Sequence, residues 1–294
     1  MSVKTTRTMT RHFLAGAVLL TGVAAVGGAS AAPTRKPKSA EKAAATVSSA
    51  LFAQLKSDDP TEVRAALDDA RLLGRGGSAA APTIAGLLAS GLPFPLAQAA
   101  IETLADLESP EAAAAIVPYT HHREVKVRRA AVRALAKTIG PAAGSLAVAA
   151  LRSSLSDPDI QVRAGAATGL GALKAKAAVK DLFVALEHHI YEAAASIGQL
   201  GDAADCELLV SQLGKIPFDV MTSGLDPMLF RPASELGDDF KIGVIHRVRD
   251  LGSRDANHFL KSIQGRWPKS GGASVRRELD AAVMATLSSP GSDS

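Results

Sequence analysis

The feature that most constrains the fold is a pattern of apolar residues that recurs along most of the chain. Six segments have an apolar residue four positions after their first residue, and five of the six have another eight positions after it. Positions with this spacing lie on one face of an α-helix. The residue three positions after the first is small in five of the six segments, which lets a second helix approach closely. The segments begin at Val63, Leu96, Val127, Val162, His189 and Phe240.

A second helical stretch follows each of these segments, and signals that start helices recur with them. Asp59-Pro60 and Asp157-Pro158 each precede a Val-Arg pair. We expect the aspartates to cap free backbone N–H groups, and proline fits the first turn of a helix. No stretch alternates apolar and polar residues over the length of a strand. The sequence therefore predicts an all-α fold of about six antiparallel helix pairs.

The Asp-Pro…Val-Arg…Ala…Leu pattern resembles HEAT repeats, particularly the short kind named for phycobilisome lyases. The resemblance covers residues 57–217 well and 240–288 weakly. It implies an α-solenoid, a right-handed superhelix whose concave face commonly binds proteins. It also implies that Arg64, Arg128 and Arg163 form bonds within the array. The resemblance is not specific for an activity, because a fold does not fix a function.

One interval breaks the period. The first five segments start 27 to 35 residues apart, but the last interval is 51 residues. The surplus lies between residues 215 and 239 and includes Pro217, Gly224, Pro227, Pro232 and Gly237. These residues argue against a continuous helix. We predict HEAT-like repeats over 47–217, an irregular insertion over 218–239, a C-terminal helical repeat and cap over 240–288, and a disordered tail over 289–294.

The first 31 residues have the order of a secretory signal. A basic stretch precedes the uncharged apolar run of residues 13–28, and Ala29-Ser30-Ala31 supplies the small residues that a signal peptidase reads. The alternative is a retained membrane anchor, for which the run is short. We predict cleavage after Ala31, a flexible basic linker over residues 32–46, and a secreted or periplasmic protein with no stable membrane insertion after cleavage.

Charge excludes one class of partner. The formal net charge is +4, but residues 1–46 hold seven lysines and arginines against one acidic residue. The body from residue 47 onward therefore has 26 basic and 28 acidic residues. A nucleic-acid-binding protein needs a basic body, so we predict no nucleic-acid partner.

Two groups of side chains are candidates for binding a protein. Four basic residues share one face of the third repeat's first helix, where they either contact an acidic partner or form a solvated surface. Large apolar residues of the insertion either form an exposed docking patch or fold back over the core. The first group is Lys126, Arg129, Arg133 and Lys137, and the second is Phe218, Met221, Met228 and Phe230.

No motif for catalysis, cofactor binding or metal binding is evident. His121-His122 and His188-His189 lack the adjacent His-Glu of the HEAT-repeat deoxyhypusine hydroxylases, and neighbouring residues on a helix point in different directions. The single Cys206 stands among apolar residues, which favours a packed side chain over a reactive thiol. We therefore predict no catalytic residue, no cofactor, no metal and no small-molecule substrate.

These observations predict an exported, non-enzymatic scaffold that binds another protein through its concave face. An enzyme or enzyme subunit resembling the phycobilin-lyase type of HEAT protein is the alternative. A structural component of the cell envelope is a third possibility.

Overall fold

The computed structural model describes residues 49–269 and 272–287. The predicted signal sequence, the linker and the C-terminal tail lie outside the described residues. Regular structure in these ranges is helical, apart from one isolated bridge between Leu213 and Ile216. No helix in the described part of the chain has the length and apolar character needed to cross a membrane.

The described helices follow one another with short connections. Residues 49–55 are helical and are called α1. The next seven are α2 (Pro60–Leu73), α3 (Ala81–Ser90), α4 (Phe94–Asp106), α5 (Ala112–Ile116), α6 (Val125–Leu135), α7 (Pro141–Ser154) and α8 (Ile160–Ala172). The last seven are α9 (Val179–Glu187), α10 (Glu192–Leu200), α11 (Ala203–Val210), α12 (Phe218–Leu229), α13 (Asp238–Asp250), α14 (Arg254–Arg266) and α15 (Ala273–Leu287). Short 3-10 helices cover Gly74–Ala80, Val117–His121 and Lys176–Ala178.

The helices from α2 onward form two rows, as expected for an α-solenoid. The even-numbered helices stack on one another in chain order, and the odd-numbered helices lie on their other side. From α2 to α12, neighbours in the even row pack together much more extensively than neighbours in the odd row, whereas at the C-terminal end α13 and α15 pack more extensively than α12 and α14. Over α2 to α12 the stack therefore curves toward the even row. We therefore call the even row the inner row and the odd row the outer row.

Small residues explain how the inner helices come so close. A methyl group on Gly198 of α10 would lie 2.0 Å from the carbonyl oxygen of Gly224 on α12, and one on Gly171 of α8 would lie 2.4 Å from Ser196 Oγ. The Ser196 hydroxyl donates a hydrogen bond of 2.8 Å to the carbonyl oxygen of Ala167 on the neighbouring helix. The predicted small positions are less tightly packed than these two glycines: a methyl group on Gly165 of α8 would lie 3.1 Å from the side chain of Val132 on α6, and one on Gly243 would meet nothing within 4 Å.

The predicted apolar positions form the core. In α8, Val162, Ala166 and Leu170 are fully buried, as the spacing predicts. Their equivalents in the other inner helices are also buried, with Arg71 and His189 as exposed exceptions. Because apolar burial is the main favourable term in folding, this stripe holds each helix against its neighbours.

Of the two aspartates predicted to cap helices, Asp59 does so and Asp157 does not. Asp59 caps α2 by accepting a hydrogen bond from the backbone N–H of Thr61, with Pro60 in the first turn. Asp157 does not cap a helix, because α8 begins later and Asp159 accepts from the backbone N–H of Val162. The carboxylate of Asp157 instead accepts two hydrogen bonds from Arg128, of 2.8 and 3.0 Å.

The repeat arginines have unequal roles. Arg128 ties α6 to the turn before α8 through Asp157, and Arg163 donates to the carbonyl oxygens of Asp157 and Pro158. These two arginines bond within the array, as the resemblance implies. Arg64 pairs with Asp68, four residues along its own helix, and both side chains are half-exposed.

The prediction of an irregular insertion over residues 218–239 is wrong for its first half, which forms α12. Pro227 stands in the last turn of this helix, where its missing N–H removes only one backbone bond. The second half, 230–237, is a loop from which Arg231 donates a hydrogen bond of 2.6 Å to the carbonyl oxygen of Gly201, just after α10.

This helix changes the register of the repeats. Because α12 continues the inner row, the segment at Phe240 belongs to an outer helix, α13, rather than to the first helix of a repeat. Arg247 of α13 forms an ion pair of 2.5 Å with Glu207 of the outer helix α11. The described helices α2 to α15 therefore make seven pairs, where the sequence predicted about six.

Candidate protein-binding site

A shallow recess opens on the inner row between α2, α4 and α6. We call it the N-terminal recess, and it is lined by Arg71, Glu102, Arg133, Lys137 and three alanines. Asp106 lies at its edge and accepts from Arg71 Nε at 2.5 Å and from Lys137 Nζ at 2.6 Å. Burial acts to raise the pKa of Asp106, but these two hydrogen bonds outweigh it and lower the pKa. The charges of three successive repeats are thereby linked across the inner face.

The four predicted basic residues divide into two pairs. Arg129 forms an ion pair of 2.6 Å with Asp159, and Lys137 pairs with Asp106. The hydrogen bond from Arg129 is the main reason that the pKa of Asp159 falls to about 2. Lys126 and Arg133 are exposed and form no ion pair with another described residue. Half of the predicted basic surface is therefore neutralised inside the array, and among the described residues that line the N-terminal recess Arg133 is a cation without an ion pair.

A larger cleft lies on the inner row at the other end, between α12 and α14. These two helices pack less extensively than α10 and α12 do, and the space between them is about 610 Å³. Two aromatic rings, Phe218 and Phe259, meet edge to face within it with centroids 6.0 Å apart. We call this space the acidic cleft, because its lining includes Asp219, Asp226 and Asp255.

The carboxylates of the acidic cleft differ in their partners. Asp226 pairs with Arg266, whose guanidinium lies 5.0 Å above the centroid of the Phe230 ring. Asp219 and Asp255 are exposed, and neither forms an ion pair with another residue in the described ranges. The lining thus holds three carboxylates against one arginine, together with the exposed His258.

The apolar residues of the predicted insertion are mostly internal. Met221 and Met228 are fully buried, so they pack in the core and are not part of a docking patch. Phe230 is half-buried against the Trp267 ring, with centroids 5.5 Å apart. Phe218 is the one member of this group that lines the acidic cleft. The packing alternative therefore holds for the two methionines, because α12 turns its apolar stripe toward the core.

The sequence analysis did not identify Asp219, Asp255 and Phe259 as site residues. A usable signal was present for the two aspartates, which are 36 residues apart, close to one repeat, and are each the second residue of a helix. This spacing is informative only if α12 is identified as a repeat helix. The prolines and glycines of that segment prevented this identification.

The histidine pairs and the cysteine do not line the N-terminal recess or the acidic cleft. His188 lies by a recess of the outer row with Arg152 and Asp181, and the hydroxyl of Tyr191 lies 3.4 Å from His189 Nδ1. In the part of the chain that is described, no three His, Cys, Asp or Glu side chains are placed to hold a metal ion. Cys206 is fully buried, and this burial raises its thiol pKa to about 11.

This arrangement of helix pairs stacked in two rows defines the chain as an α-solenoid. Residues 148–223 match the family of HEAT repeats, a range that runs from within α7 into α12. That part of the chain is therefore built from HEAT repeats. No curated protein sequence matches the chain.

Of three similar structures, one supports the same fold. A homology model of the full-length AP-3 complex in an intermediate open conformation matches with a TM-score of 0.56 and 15% identity, over 81% of this chain and 50% of that one. The CpcE–CpcF complex of phycocyanin lyase from Nostoc sp. PCC7120 matches with 18% identity and a TM-score of 0.45, over 89% of this chain and 100% of that one. Human deoxyhypusine hydroxylase matches with 15% identity and a TM-score of 0.38, over 84% and 97% of the two chains. The last two scores are too low to carry an inference about this chain.

Proposed function

We propose that this protein is an exported, non-enzymatic scaffold that binds another protein along its inner row. The observation that carries the proposal is that the inner row holds recesses of different charge at its two ends. Arg133 is unpaired among described residues at the N-terminal recess, and Asp219 and Asp255 are unpaired at the acidic cleft. A partner with the opposite arrangement of charge is held in one orientation, since electrostatic complementarity fixes register.

The middle of the inner row favours a broad contact. The side chains of α8 and α10 that face neighbouring helices are largely alanine, glycine and serine, so the helices lie close together. Close packing of this kind leaves little room for a deep pocket between them. A shallow surface suits a folded partner or an extended segment better than a small molecule, which needs a concave pocket. Affinity then comes from several modest contacts spread over successive repeats.

Two further observations support the non-enzymatic part of the proposal. Several acidic and basic groups on the inner row, including Asp106, Asp159 and Asp226, are engaged in ion pairs between repeats. The one thiol of the chain is buried and has a raised pKa, opposite to what a nucleophile requires.

Site-specific photocrosslinking tests which row binds the partner. A photoreactive amino acid replaces Arg133 or Ser223 on the inner row, or Leu146 or Val184 on the outer row, and all four positions are exposed. We expect one dominant protein adduct from the inner positions in the native cell fraction and none from the outer positions. An equal or stronger adduct from the outer positions would contradict the proposal.

Export is tested separately, because the order of basic, apolar and small residues in 1–31 is the only support for it. We expect N-terminal sequencing of the protein from the exported fraction to begin at or near Ala32. An intact Met1 on the mature membrane-bound protein would instead indicate a retained anchor.

A further inference from the structure

We infer that the acidic cleft between α12 and α14 binds a lysine- or arginine-bearing segment of the partner protein. This inference rests on the proposed function and narrows it, since it assigns a chemistry to one part of the inner row. The partner segment is basic, and its positively charged side chains enter the cleft beside Phe218 and Phe259.

The chain itself holds a cation in this way at one end of the cleft. The Arg266 guanidinium pairs with the Asp226 carboxylate and lies 5.0 Å above the Phe230 ring centroid. Nearby, Lys241 Nζ lies 5.8 Å from the centroid of the Trp267 ring. A carboxylate beside an aromatic face is therefore a combination that binds cations in this part of the fold, as expected from charge pairing and from the negative face of an aromatic ring.

The other end of the cleft contains the same ingredients without a cation from the described chain. Asp219 and Asp255 are exposed, and the Phe218 ring meets the Phe259 ring beside them. Each aspartate is the second residue of its helix, where the helix dipole stabilises its negative charge but does not neutralise it. The two carboxylates are therefore available to a cation from outside.

The volume of the acidic cleft and its apolar lining residues determine which kind of cation fits. A cleft of about 610 Å³ is large enough for side chains rather than only for an ion. Lysine and arginine place an aliphatic stem against apolar surface while the charged group reaches a carboxylate. An acidic segment is repelled by the surplus of carboxylates, so the cleft distinguishes basic from acidic partners.

Fluorescence anisotropy with defined peptides tests the inference on the exported form of the protein. The probes are a fluorescein-labelled lysine–alanine repeat peptide, the same peptide with every lysine acetylated, and a glutamate–alanine repeat peptide of equal length. The test variant is Asp219→Asn with Asp255→Asn. Its matched control is Asp69→Asn with Asp239→Asn, which removes two exposed, unpaired carboxylates outside the cleft, including the second residue of α13.

We expect the lysine peptide to bind the wild-type protein and the control equally, and the test variant about tenfold more weakly, since each exposed ion pair contributes modestly. Binding also weakens as salt rises, because exposed charges are screened. Equal binding by the test variant and the control, or binding of the acetylated or acidic peptide as tight as that of the lysine peptide, would overturn the inference.

The mass of the protein in solution provides a second check. A dimer that forms with the wild-type protein and is lost in the test variant would assign the cleft to a second copy of the chain and overturn the inference. A failure of this inference can also be distinguished from a failure of the proposed function. If the inner row crosslinks a partner while the lysine peptide does not bind, the inference fails and the scaffold proposal stands.

Discussion

The contact between α10 and α12 gives the sharpest test of how the inner row is held together, and the substitution is Gly198→Ala. The added methyl group would lie 2.0 Å from the Gly224 carbonyl oxygen, where real contacts stay beyond 3.0 Å. The obstacle is backbone in the middle of a helix, so it cannot rotate away as a flexible side chain does. The two helices must therefore separate by about 1 Å, which loosens the packing of the buried residues between them.

The expected cost follows from two opposing terms. Replacing glycine by alanine inside a helix contributes about 0.5 to 1 kcal/mol of stability, because alanine loses less backbone entropy on folding. Overpacking a well-packed interior costs about 1 to 3 kcal/mol, and a clash with backbone belongs at the upper end. We expect Gly198→Ala to lower the free energy of unfolding by about 2 kcal/mol.

Gly243→Ala is the matched control, since it also lies inside a helix but nothing approaches its added methyl group within 4 Å. The free energy of unfolding of this variant is expected to rise by about 0.5 to 1 kcal/mol. Urea unfolding followed by circular dichroism measures the whole array, and the emission of the single tryptophan, Trp267, reports the C-terminal repeats. If Gly198→Ala unfolds at the same or a higher urea concentration than the wild type, the close approach of α10 and α12 is not as described.

Three other expectations follow from buried or paired groups. Leu170→Asp places a carboxylate at a fully buried core position, and we expect it to abolish cooperative melting or to cost more than about 4 kcal/mol, measured by circular dichroism. Arg129→Met removes the main cause of the low pKa of Asp159, which is about 2 against an ordinary 3.8. In the wild type, the stability that this pair contributes is therefore present above about pH 4 and is lost as the pH falls toward 2. The difference in stability between wild type and variant, about 1 kcal/mol or less at neutral pH, should therefore disappear in acid. Cys206 is buried with a pKa of about 11, and we expect a thiol reagent to label it only after denaturant unfolds the protein; fast labelling of the native protein would contradict its burial.

The sequence was sufficient to predict the helices and their buried faces from α2 to α11. The period of an α-helix is a local property, so apolar residues at Val162, Ala166 and Leu170 indicate a buried stripe whatever the helix packs against. The small residue Gly165 likewise predicts close approach, and a methyl group added there would lie 3.1 Å from the side chain of Val132 on the neighbouring inner helix. The same reasoning identified Cys206 as a packed residue.

The tertiary structure alone decided what α12 is. Its prolines and glycines are unfavourable for a helix in isolation, and the local pattern therefore predicts a loop. In the folded chain, Gly224 is the residue that allows α12 to lie against α10, and burial of Met221 and Met228 contributes more than the weak local propensity costs. Packing thus overrode propensity, and the register of the last repeats changed with it.

The partners of charged side chains were also decided only by the tertiary structure. The sequence shows one pattern of four basic residues, Lys126, Arg129, Arg133 and Lys137. Two of them are neutralised by aspartates from different repeats, Arg129 by Asp159 and Lys137 by Asp106. The acidic cleft has the same origin, because its carboxylates meet only when α12 and α14 stack. A sequence determines which face of a helix carries charge, whereas the charges opposite that face depend on how the repeats stack.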